Sequence, residues 1–144
     1  MQLPPASRLL LGVAAMLLVV GGTLHGLAYP QAAKFIDASS LSARYAAIYK
    51  GFWLNNVSMV ALIGVAYLIL ALRPGLANRT LLALLVALPL CSALSIYATV
   101  GNFVPGHLLL TSCAMALTAS LLPRRQTGTV ETLSTQPRPN SRNR

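Results

Sequence analysis

Four long apolar stretches constrain this chain more than anything else in it: residues 9–29, 52–72, 80–100 and 103–122. Each is about the length a helix needs to cross a hydrocarbon core of roughly 30 Å, at about 1.5 Å per residue. None contains Asp, Glu, Lys or Arg. A helix is the element that satisfies its own backbone in lipid. The expected fold is therefore all-α: an integral membrane four-helix up-down bundle over residues 1–123, followed by a disordered basic tail at 124–144. With 144 residues, four spans and their links leave no room for a second domain.

The net charge of +9 could suggest a nucleic-acid partner. The placement of the charge points elsewhere. Arg8, Arg73, Arg79, Arg124, Arg125, Arg138, Arg142 and Arg144 all fall on one side of a four-span chain, against Lys34, Arg44 and Lys50 on the other. The positive-inside rule then puts both termini in the cytoplasm of a cell with the bundle in its inner membrane. The basic excess also attracts anionic lipid. No folded basic face with groove-reading or aromatic elements accompanies it, so no nucleic-acid partner is expected. The expected partners are the lipid bilayer and another membrane protein or a second copy of the chain.

Local signals set the punctuation. Ser7 is placed to cap the first helix, and Pro30 to stop it. A secretory signal peptide is the competing reading of this segment, with Arg8 as its basic flank, 9–20 as its apolar core and Gly26, Leu27 and Ala28 as a cleavage site. Residues 30–51 form the one sizeable loop. Within it Leu41, Tyr45, Ile48, Tyr49 and Phe52 recur at helical spacing, capped by Asp37 or Ser39. This stripe reads as a short surface helix or as an outward extension of the second span. With Trp53 it matches an interfacial aromatic belt better than a gating lid. Pro74 and Gly75 end the second span, Asn78 can cap the third, and Pro105 suits the first turn of the fourth. Pro89 falls mid-span and frees a carbonyl near Leu85 for a neighbour such as Ser92. Gly22 with Gly26, Gly64 with Ala61, and Ser112 with Ala116 are small pairs at the spacing that lets helices approach closely.

Candidate chemistry gathers at the outer end. His25 lies about one turn inside the exit of the first span, and His107 just inside the start of the fourth. Each shares a helix face with small residues, so both are expected to point into the bundle. Tyr97, Asn102, Asn55 and Asn56 lie at similar depth. Two imidazoles can ligate a haem or share a metal, although no carboxylate or thiol accompanies them to close such a site. With Tyr97 and the asparagines they can also bind a quinone or a lipid headgroup. The plainer expectation is interhelical hydrogen bonding with no cofactor at all. Cys91 and Cys113 lie outside any Cys-x-x-Cys motif and read as small apolar residues. Walker, HExxH and GxSxG motifs are absent, and so is a carboxylate in the membrane, which disfavours a proton-coupled exporter.

Gly22-Thr23-Leu24-His25, a longer first outer loop and compact remaining spans with a short polar tail resemble the small bacterial four-helix membrane proteins that include DoxX-like and related uncharacterised families. The resemblance implies the architecture and transfers no catalytic residue. The function expected is that of a non-enzymatic structural or accessory subunit of a membrane complex. The alternative is a membrane redox module binding quinone, lipid or haem through His25 and His107.

Overall fold

In the computed structural model, which describes residues 3–123, all four apolar stretches are helical. The helices are α1 (Pro5–Leu27), α2 (Tyr29–Asp37), α3 (Ala43–Leu72), α4 (Arg79–Thr99) and α5 (Val104–Leu121), with a 3-10 turn at Pro74–Leu76 between α3 and α4. Of these, α1, α3, α4 and α5 are long and apolar enough to cross a membrane. The tail expected at 124–144 lies outside the described residues.

Several boundaries follow directly from side-chain chemistry. Pro5 and Pro105 sit in first turns, where a missing N–H costs nothing. Asn78 caps α4, its Oδ1 accepting the Leu81 N–H at 2.7 Å. Gly101, at φ 83°, makes the turn from α4 to α5 in a conformation that side-chain-bearing residues avoid.

Other expectations are corrected. The segment 30–51 is not a loop: α2 occupies its first part, and the aromatic stripe is the outward extension of α3. Pro30 does interrupt the first helix, but α1 ends at Leu27 rather than Tyr29, the break falls at Ala28, and Pro30 itself sits in the first turn of α2. A proline has no N–H for the carbonyl four residues back, so the ladder breaks there and restarts. Neither Asp37 nor Ser39 caps α3, whose N-cap is Ser42. Asp37 ends α2 and pairs with Lys50, and the Ser39 hydroxyl donates to the Ile36 carbonyl at 2.6 Å.

α1 is the centre of the assembly. It packs against α3 on one side and α5 on the other, and α5 in turn packs against α4. Along the α1/α3 seam, a Cβ placed on Gly64 would stand 2.9 Å from the Val19 side chain and 3.3 Å from the Ala15 carbonyl. Gly22 and Gly26 meet Val60 and Val57 in the same seam, whereas Gly21 faces Leu108 of α5. Small residues therefore set the backbone separation, as expected where dispersion rather than hydrophobicity drives helix association. Leu11, Ala14, Ala15, Leu18, Tyr67, Leu82, Ala93 and Ala116 form the interior.

The helix ends are tied together by side chains. The last four carbonyls of any helix have no partner within it. At the end of the molecule where α1 begins, Ser7 donates to the Ala119 carbonyl in the last turn of α5 (2.8 Å) and Arg8 Nε to the Ala71 carbonyl in the last turn of α3 (2.9 Å). Ser7 is thus not the N-cap of α1, which is Pro4, but a donor to the C-terminal turn of α5 beside it. At the opposite end, Trp53 Nε1 of α3 donates to the His25 carbonyl in the last turn of α1 at 3.1 Å. α1 begins and α5 ends on the same side, called here the terminal end. The other is the far end.

α3 and α4, although joined by a short turn, approach each other at few places. Tyr67 bridges them, its hydroxyl donating to the Leu85 carbonyl at 3.2 Å. This is the carbonyl that Pro89 leaves without its intrahelical donor, and Tyr67 rather than Ser92 satisfies it. Beyond Tyr67 the two helices enclose an open groove of about 430 Å³ lined by Asn55, Met59, Leu62, Leu85 and Leu88.

Candidate functional site

The far end carries the polar groups, and the backbone divides them into two sets. The first is built on the α4/α5 elbow. Tyr97 is in the last turn of α4, Asn102 in the turn, and His107 in the first turn of α5. Gly106 is buried against Ile96 and the Tyr97 ring, a Cβ there meeting them at 3.3 and 3.5 Å. This close approach brings the imidazole across to the phenol. His107 Nε2 lies 2.5 Å from Asn102 Oδ1, and its Nδ1 lies 2.5 Å from the Tyr97 hydroxyl. An amide oxygen can only accept, so Nε2 carries the proton in the neutral ring and the phenol donates to Nδ1. The ring centroids of Tyr97 and His107 are 5.5 Å apart in an edge-on arrangement. The result is a hydrogen-bonded line, phenol to imidazole to amide, on an exposed surface. The expectation that His107 points into the bundle is corrected: the residue is exposed, because Gly106 rather than His107 takes the inward position.

The second set is His25 with Trp53. The imidazole lies flat on the indole, centroids 4.2 Å apart and planes 8° from parallel, while the indole N–H holds the His25 carbonyl. His25 is half-buried against α3, as the small-residue face of α1 requires. Trp53, read from the sequence as a belt residue, is thus also the partner of His25. Asn55 is exposed at the mouth of the α3/α4 groove, and Asn56 is half-buried.

The structure therefore brings His107, Tyr97 and Asn102 together and gives His25 a different neighbour. Two imidazoles ligating one haem need a free nitrogen each, aimed at one metal. Here both nitrogens of His107 are engaged, and the His25 ring lies against an indole. No group of three or more His, Cys, Asp or Glu side chains gathers among the described residues. Cys113 is buried, its thiol directed to the Val86 carbonyl at 3.7 Å, while Cys91 is exposed and both are free.

Sequence reading overlooked Tyr67. A tyrosine hydroxyl inside the terminal end of α3, at the depth of the carbonyl that Pro89 frees on α4, is the signal that would have found it. Comparison of the chain with protein-family models, with curated proteins and with solved structures finds no match.

Proposed function

We propose that this chain is a non-enzymatic subunit of an inner-membrane complex, seated with its terminal end in the cytoplasm. The observation that carries the reading is the overreach of α3. At 30 residues it is about 45 Å long, against a core of roughly 30 Å. Counted from its terminal end, about ten residues stand beyond the far surface. α2 packs against that extension, fastened by the Lys50–Asp37 ion pair, and Ala46 is its buried position. The rest of the extension displays Tyr45, Ile48, Tyr49 and Phe52, each 40–66% exposed, and α2 adds Phe35. Aromatic side chains held on a rigid helix are the common anchors of protein interfaces. Interior polar groups point the same way. Ser7, Ser112, Tyr67 and Cys113 all donate to backbone carbonyls, a use that fastens helices together.

The test is gentle purification of the full chain from its own membrane, with photo-crosslinking from positions 45 and 49. A larger membrane protein should co-purify and crosslink, and Tyr45→Ser with Tyr49→Ser should release it. Turnover of a substrate, or a stoichiometric cofactor in the purified protein, would end this reading.

A second reading rests on the His107 line alone. Tyr97, His107 and Asn102 present a donor and acceptor chain at the far end, suited to a quinone carbonyl or a lipid headgroup. It requires that His107→Ala abolish binding of that small molecule, seen as a bound mass in native mass spectrometry, while the helical content stays unchanged.

A further inference from the structure

The terminal end holds a groove that the far-end chemistry does not involve. It runs between α1 and α3, has a volume of about 590 Å³, and is lined by Arg8, Leu9, Gly12, Met16, Leu68 and Leu72, among others. The α1 residues recur at helical spacing, so the groove follows the helix for about 12 Å from Arg8 to Met16. Its walls are apolar and outward-facing: Leu9 is 69% exposed, Met16 60% and Leu72 66%. Gly12 forms its floor, where an added Cβ would meet nothing within 4 Å.

The head of the groove is a fixed cation. Arg8 Nε donates to the Ala71 carbonyl, which holds the guanidinium plane in place. Among the described residues its two terminal NH₂ groups have no hydrogen-bond partner, and such a fork matches phosphate oxygens in pairs. Arg73 adds a second positive charge one residue beyond Leu72. The described acid, Asp37, is at the far end on α2, paired with Lys50, so nothing at this end of the described structure neutralises the pair.

We propose that this groove binds one anionic phospholipid of the leaflet at the terminal end, its phosphate on Arg8 and one acyl chain laid over Gly12 toward Met16. The two halves of the site select different things. The cation selects headgroup charge, and the trough selects a hydrocarbon chain. The groove opens sideways onto hydrocarbon because both its walls belong to helices that can span the membrane.

The experiment is native mass spectrometry of the full chain released from nanodiscs of equimolar phosphatidylglycerol and phosphatidylcholine. The wild type should retain phosphatidylglycerol preferentially. Arg8→Gln should reduce that retention about fivefold, the loss of one surface charge contact. Gly12→Phe should reduce it as much, with the charge untouched. A Cβ at Gly12 meets nothing within 4 Å, so Gly12→Phe is expected to fold, checked by its helical circular dichroism, and it decides the question even where Arg8→Gln loosens α3. Equal retention of the two lipids by the wild type, or wild-type retention by Gly12→Phe, overturns the site. So does wild-type retention by a folded Arg8→Gln, or a co-purifying protein that crosslinks to Met16 and Leu68 in place of the lipid.

Discussion

α3 has two seams, and they are built on different terms. Against α1 it presents Gly64, Ala61, Val60 and Val57 to Ala15, Leu18 and Gly22, and the backbones close to the limit that a glycine allows. Against α4, its neighbour in the chain, it presents Met59, Leu62 and Ile63 across an open groove, with Tyr67 reaching the Leu85 carbonyl at its closed end. A short connection therefore fixes direction without fixing contact. What decides contact in a lipid-like solvent is side-chain size, since an apolar face gains little by leaving hydrocarbon unless it packs more closely than lipid does.

That contrast can be broken most severely at Gly64. Gly64→Leu puts a branched side chain where a Cβ alone would be 3.2 Å from Leu18 Cβ and 3.3 Å from a backbone oxygen. Overpacking of this kind costs typically about 1–3 kcal/mol, occasionally more. The rigid Ala15 backbone puts this variant at the upper end, measurable as a loss of reversible unfolding free energy in mixed micelles. The matching control is Leu62→Phe on the α4 side. Leu62 is 69% exposed, so the control should leave stability unchanged within about 0.5 kcal/mol.

Next in size is Asn78→Ala, which removes the cap of α4 and should cost about 1 kcal/mol in the same assay. Tyr67→Phe sharpens the comparison most directly. It deletes the hydroxyl that bridges α3 and α4 and should cost about 0.6 kcal/mol, the average for such bonds within membranes. Spin labels on α3 and α4 should move apart while labels on α1 and α3 keep their separation. An unchanged α3–α4 distance would show that the groove is held by something other than this bond. The smallest effect is on reactivity alone. In detergent, Cys91 should be modified by a maleimide while buried Cys113 is protected, with no change in stability.

How far the sequence could be read follows from the range of each interaction. The Asn78 cap, Pro105 in the first turn of α5 and the freed Leu85 carbonyl are settled within four residues, and all three were legible. The bond from Ser7 was not, because its acceptor lies 112 residues away on a helix whose adjacency to α1 no local pattern records. The bond from Tyr67 spans 18 residues, and its signal is the match in depth between two consecutive helices rather than any local motif. The histidines show the same limit. Chain direction placed both at the far end correctly in depth, but depth leaves the angle around the bundle open. That angle gave His25 to Trp53 and His107 to Tyr97 and Asn102. The helix at Tyr29–Asp37 was missed because Pro30 signals a stop and a start equally well.

The proline in α4 has a consequence for anyone who would engineer this chain. Pro89→Ala is the obvious repair for an isolated helix, since it restores an N–H four residues after Leu85. In the assembled protein that N–H would compete with the Tyr67 phenol for the same oxygen. The change that mends α4 as a rod would unfasten it from α3, so the imperfection in one helix is a joint between two.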